Sequence, residues 1–244
     1  LKVILITALG VGGSTIFGAA IGYFFRSATK KLYSAVLSFA AGVMLAAAII
    51  GLIMSSLEDA DILGFLSCLF GLFCGAFVLL GIGKTLPLLR KILSANKSRK
   101  SDRVLLFVCA IALHNLPEGI AAGVGFGTGD ISDGITLALG IALQNIPEGM
   151  VLIAPMLQAG ISPVRTFLSA AFTGVIEIVG TFVGFYAVSF SSVFLPFALA
   201  LAGGSMLFVI CGEMIPETCN SEKHSPVFCL LFGFAVMVAL DFFI

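Results

Sequence analysis

Histidine, asparagine, glutamine and glutamate interrupt an otherwise apolar chain twice with the same spacing, as "IALHNLPEG" at 111–119 and "IALQNIPEG" at 141–149, identical at seven of nine positions. On a helix, at about 100° per residue, Glu118 falls about 40° from His114 on one side and about 60° from Asn115 on the other. Glu148 is flanked in the same way by Gln144 and Asn145. Each segment therefore presents one carboxylate between two polar side chains. Pro117 and Pro147 lack an N–H, so they release the carbonyls of Leu113 and Leu143 next to that face. A third carboxylate, Glu177, stands in the apolar stretch "FTGVIEIVG".

Imidazole nitrogen, carboxylate oxygen and amide oxygen form a mixed donor set suited to borderline divalent metals such as zinc, iron(II), manganese or cadmium. Glu118 and Glu148 can each bridge, so two adjacent ions are compatible with the set. Protons should compete with metal there, because paired carboxylates resist simultaneous ionisation without a cation between them. Two other readings use the same residues. In a proton- or sodium-coupled carrier of a small organic solute, the glutamates would relay protons and His114 would tune them. In an intramembrane metallohydrolase, histidine and glutamate would hold a catalytic zinc, but neither H-E-x-x-H nor G-x-S-x-G occurs. The metal reading implies no enzyme activity and no organic cofactor, with Zn2+ (or Cd2+, Fe2+, Mn2+) as substrate.

The elements that carry these groups follow from composition. The chain has 244 residues, 59% of them hydrophobic and 11% charged, with a mean hydropathy of +1.17, which places it among integral membrane proteins. Apolar runs of about 20 residues, enough to cross roughly 30 Å of hydrocarbon, recur eight times. They span residues 1–25, 32–57, 62–83, 104–126, 135–157, 164–190, 194–215 and 226–244. The expected fold is an all-α integral membrane protein, one transporter domain over 1–244, with central helices 4 and 5 carrying the metal site. Alternating ten-residue segments are missing, which argues against a membrane β-barrel. The first run has no small-residue cleavage site followed by a soluble domain and reads as a membrane helix rather than a signal peptide.

Glu118, Glu148 and Glu177 then lie near mid-bilayer, where each ionised carboxylate costs about 2.5–3.5 kcal/mol. Shared protons, a water-filled cavity or a bound cation must offset that cost, and each implies a pathway for a solute or ion. All but Lys2 of the 13 basic residues fall in alternate connections, most densely in the basic loop 84–103. Basic connections favour the cytoplasm, so both termini are expected outside, in a multi-pass protein of the plasma membrane (the bacterial inner membrane). Glu58, Asp59, Asp61, Asp130 and Asp133 fall on the outer side. The six cysteines read as small hydrophobes. His224 reads as a solvated loop residue.

One crossing separates the two IALxNxPEG segments, so they run antiparallel and would be related by a pseudo-two-fold axis in the membrane plane, an inverted repeat with a midplane site. A weaker echo links "AAGVML" at 40–45 with "AGGSML" at 202–207, whose glycines would allow close helix packing. Met44 and Met206 could serve there as soft ligands or as packing. Glu213 reads as an exit ligand or an interfacial charge.

With "HNLPEG", "QNIPEG", mid-span Glu177 and eight spans, the chain resembles the ZIP family of divalent metal transporters, including its GufA-like bacterial branch. The resemblance covers nearly the whole chain. It implies one metal position from His114, Glu118, Gln144 and Glu148, with Met44. A neighbouring position would come from Asn115, Asn145 and Glu177, sharing Glu118 and Glu148. It also implies Glu58 near the outer mouth and Met206 with Glu213 near the cytoplasmic exit. The sequence departs from many relatives in having Gln144 in place of histidine and a Lys/Arg/Ser loop in place of a histidine-rich one. The expected function is zinc uptake into the cytoplasm by alternating access. The expected partners are divalent metal ions and membrane lipid, with a homodimer compatible and no nucleic acid.

Overall fold

The computed structural model describes residues 2–24, 30–58, 60–93, 115–128, 131–158, 161–190, 195–218 and 224–243. Their regular structure is helical throughout. Helix α1 spans Lys2–Phe24, and α2 spans Lys30–Ala46 before continuing as π-helix over Ala47–Met54 and closing in Ser55–Leu57. Helix α3 spans Ile62–Leu93, α4 covers 115–124, and α5 spans Ile131–Gln158. Helix α6 spans Pro163–Phe190. Helix α7 runs over Leu195–Val209, turns π-helical over Ile210–Met214 and ends in Ile215–Thr218, and α8 spans Ser225–Phe243.

Among the described residues, six helices are long and apolar enough to cross a membrane. The surface of α6 shows why this chain needs lipid. Val164, Leu168, Phe172, Val175, Val179, Val183 and Tyr186 are exposed at helical spacing, while Thr166, Thr173, Glu177 and Thr181 are buried. A water-soluble helix would carry the opposite pattern. This is a multi-pass membrane protein.

One boundary differs from the sequence expectation. Helix α3 continues to Leu93, ten residues past the predicted end, so Lys84, Arg90 and Lys91 belong to a helix and the basic loop begins later than residue 84. Helix α5 also runs through Pro147 without interruption. At the other end of α3, the Asp61 side chain accepts the Gly64 N–H at 2.8 Å, an N-cap that fixes the sharp connection from α2. Residues 104–114 of the predicted fourth span, His114 among them, together with Asp59, Asp130 and the basic stretch 94–103, lie outside the described residues.

Packing divides the helices into two groups. Helix α1 packs on α5 and α6, while α3 packs on α7 and α2 on α8. Helix α4 lies against α6, and α2 makes the main contact between the groups, against α5. Glycines set nearly all of these crossings. A β-carbon at Gly119 or Gly123 would overlap the backbone of Glu177 or Thr181, and one at Gly184 that of Ile120, so α4 and α6 lie parallel in van der Waals contact. Gly18 and Gly22 fit in the same way against Ile146 and Met150, bringing α1 alongside α5. The echoing segments on α2 and α7 are used alike, with Gly42 against Leu230 and Gly204 against Leu72. Each of these two helices then turns π-helical a few residues beyond its matching methionine, Met44 or Met206.

Candidate metal centre

Helices α4 and α5 run antiparallel. Glu118 meets Gln144, and one end along, Gly125 backs onto Leu137, so contacts progress in opposite directions on the two helices. That hairpin places the polar faces of the two IALxNxPEG segments against each other, with α6 and α1 closing the sides.

Glu177 is the hub. Its Oε1 accepts from the Asn115 amide, and its Oε2 accepts from the Asn145 amide at 2.7 Å. Thr15 of α1 donates its hydroxyl to the same carboxylate, 2.8 Å from Oε1 and 3.0 Å from Oε2. One residue from each of α1, α4, α5 and α6 thus meets at one carboxylate, and all four are completely buried. The Asn145 amide also reaches the Val11 carbonyl at 3.2 Å.

Glu118 has fewer partners. Gln144 donates to its Oε1 at 2.9 Å, and its Oε2 meets no donor among the described residues. Glu148 is half-buried and lies near both Glu118 and Glu177. Three acidic side chains therefore share one interior region.

Acceptors outnumber donors there. Six buried side-chain oxygens lack a hydrogen-bond partner among the described residues, and four of them belong to this cluster: Asn115 Oδ1, Glu118 Oε2, Gln144 Oε1 and Asn145 Oδ1. Buried polar atoms are normally paired, because leaving one unsatisfied costs about 1–3 kcal/mol. An excess of oxygen acceptors around carboxylates is what a cation satisfies and what a further hydrogen-bond acceptor would aggravate. Among the described residues, no three His, Cys, Asp or Glu side chains close into a cage, and the unpartnered amide oxygens of Asn115, Gln144 and Asn145 stand with the carboxylates.

Of the residues expected from sequence, the structure gathers Asn115, Glu118, Gln144, Asn145 and Glu177, with Glu148 beside them. Met44 and Met206 are buried in the main apolar cluster. Glu58 is exposed just past the end of α2. Glu213 lies on the π-helical part of α7, its side chain outside those described. Cys68, Cys74, Cys211 and Cys229 are free thiols, and His224 is exposed.

Thr15 escaped the sequence reading. Its signal was the buried stripe of α1, where Ile4, Ala8, Val11, Thr15, Gly18 and Gly22 recur at spacings of four and three, with one polar side chain among apolar and glycine positions.

A family model described as ZIP zinc transporter matches residues 93–241. The chain is 35% identical over 237 residues to zinc transporter ZIPB of Bordetella bronchiseptica, covering 93% of this chain and 77% of that protein. It is 30% identical over 246 residues to zinc transporter ZupT of Chlorobaculum parvum, covering 93% and 91%. Zinc transporter GufA of Myxococcus xanthus is 44% identical over 143 residues, 58% of this chain, and the matched stretch spans 56% of GufA.

Proposed function

The chain belongs to the ZIP zinc transporter family, and from that premise we propose that it carries Zn2+ across the membrane through the α4–α5 cluster, inward to the cytoplasm and by alternating access. The family is one of transporters, not enzymes. The observation that carries this reading is the excess of buried oxygen acceptors on two antiparallel helices, which a doubly charged ion would satisfy and neutralise.

In this reading His114, Glu118, Gln144 and Glu148 hold one ion. Asn115, Asn145 and Glu177 form the adjoining position, sharing Glu118 and Glu148 in a binuclear arrangement. Met44 borders the ions. Glu58 stands at the outer mouth, and Met206 and Glu213 line the inner exit. The chain crosses the bacterial inner membrane eight times with both termini outside, as an inverted repeat about an axis in the membrane plane.

Alternating access requires two bodies that shift as units. The first group, α1 with α4, α5 and α6, carries every polar side chain of the cluster, and the second, α2, α3, α7 and α8, supplies the surface it moves against. Tight glycine contacts inside each group favour motion between groups over motion within them.

Zinc uptake into proteoliposomes tests the reading, with the parent protein compared with Glu118→Gln. The parent should accumulate zinc in a chelator-sensitive manner, and the variant should lose most of that uptake while remaining folded. Undiminished uptake by Glu118→Gln, or chelator-insensitive movement of an organic solute, would overturn it.

A further inference from the structure

Helical hydroxyls in this protein ordinarily bond their own helix. Thr173, Thr181, Ser205 and Thr218 each donate to a carbonyl three or four residues back. Thr15 instead sends its hydroxyl to Glu177, 162 positions along the chain, and sits against both carboxylate oxygens. Its short side chain reaches because Gly12 and Gly18, one turn to either side, let α1 touch the backbones of α6 and α5.

The same offset of 162 relates more than this pair. Gly12 and Gly174 pack on each other's backbone. Gly18 meets Ile146 as Gly180 meets Leu116, and Gly22 meets Met150 as Gly184 meets Ile120. Gly149 faces the Thr15 carbonyl as Gly119 faces that of Glu177. On α4 and α5 each of these partners lies 30 residues from its counterpart, the spacing of the two IALxNxPEG segments. Thr15 therefore holds on α1 the place that Glu177 holds on α6.

We infer that Thr15 is a positioning residue of the cation site, the hydroxyl counterpart of Glu177 across the pseudo-two-fold. This rests on the metal-transport reading above. Its single proton fixes the Glu177 carboxylate between Asn115 and Asn145. The carboxylate takes the NH2 end of each amide, which leaves both amide oxygens available to a cation. Without the hydroxyl, Glu177 gains rotational freedom and the two amides lose their common orientation.

The experiment compares parent, Thr15→Val and Thr15→Ser in detergent for zinc Kd and melting temperature, and in proteoliposomes for zinc uptake. Valine keeps the shape and removes the hydroxyl, whereas serine keeps the hydroxyl and removes a methyl. Thr15→Val should raise zinc Kd and KM about tenfold, the scale of one hydrogen bond to a charged group, with Vmax changed far less. Thr15→Ser should match the parent. Parent-like Kd in Thr15→Val, or equal losses in valine and serine variants, would overturn the inference and leave transport intact. If Thr15→Val does not fold, Thr15→Ala supplies the hydroxyl-free arm. A parent that neither binds nor moves zinc overturns the transport reading, and the inference with it.

Discussion

Gln144 on α5 donates its amide to Glu118 on α4 at 2.9 Å, while its own carbonyl oxygen has no hydrogen-bond partner among the described residues. The bond ties the two antiparallel helices together at the carboxylate expected to hold zinc, and it occupies Glu118 Oε1 with a neutral donor. An ion at Glu118 must therefore compete with an internal hydrogen bond and gains only a weak amide oxygen in return.

Gln144→His replaces that donor with an imidazole whose lone pair can coordinate zinc directly. We expect zinc Kd to fall about tenfold, the worth of about 1.4 kcal/mol, and uptake Vmax to fall because release slows. Titration calorimetry on the purified protein and uptake in proteoliposomes check the two halves separately. Unchanged or weaker binding would mean that Gln144 is no ligand position.

Glu177 should matter to stability as well as to transport. Glu177→Ala strips the acceptor from Thr15 and Asn115 and leaves the Asn145 amide only the Val11 carbonyl, so buried donors on three other helices each lose a bond. Each such bond to a charged acceptor is worth about 1.5–3 kcal/mol in favourable cases, so a loss of at least about 3 kcal/mol is expected. Thermal unfolding in detergent reads it directly. A melting temperature equal to the parent's would show that the four helices do not depend on this contact.

Much of this was legible in the sequence, for identifiable reasons. Mid-membrane glutamates stand out because burying them is costly, and the IALxNxPEG echo stands out because seven of nine residues repeat. The repeat of α1 in α6 was hidden. What it preserves is glycine at Gly12, Gly18 and Gly22 against Gly174, Gly180 and Gly184, where backbones touch, while the lipid-facing residues between them are free to vary. Thr15 was invisible for a related reason, since a threonine in an apolar helix usually bonds its own backbone and only packing shows where its hydroxyl goes. The continuation of α3 to Leu93 leaves no mark in hydropathy, because charge ends an apolar run whereas a helix can outlast the bilayer.

The glycine contacts make a contrast that local propensity alone would not. A β-carbon added at Gly13 would meet nothing within 4 Å, so Gly13→Ala should be neutral or stabilising by up to about 1 kcal/mol. Gly149→Ala would overlap the backbone of Thr15 and Ala19 and force α1 away from α5. We expect about 1–3 kcal/mol of destabilisation together with weakened zinc binding, since Thr15 would be carried away from Glu177. Melting temperatures and zinc Kd for the two variants side by side check this, and equal tolerance would contradict the close packing of α1 on α5.

Exchanging the two pseudo-equivalent residues gives the most demanding test. Thr15→Glu alone sets a second carboxylate against Glu177 in a buried space, and Glu177→Thr alone leaves the asparagine amides with no carboxylate. Both should lower stability and zinc affinity. Combined, the changes restore one carboxylate and one hydroxyl, now on opposite helices, with Asn115 and Asn145 still related by the same 30-residue repeat. If the positions are equivalent, the double variant recovers part of both losses, and a double-mutant cycle gives a coupling above about 1 kcal/mol. Losses that simply add would mean that the α1 position cannot serve in place of the α6 position, whatever the backbone resemblance.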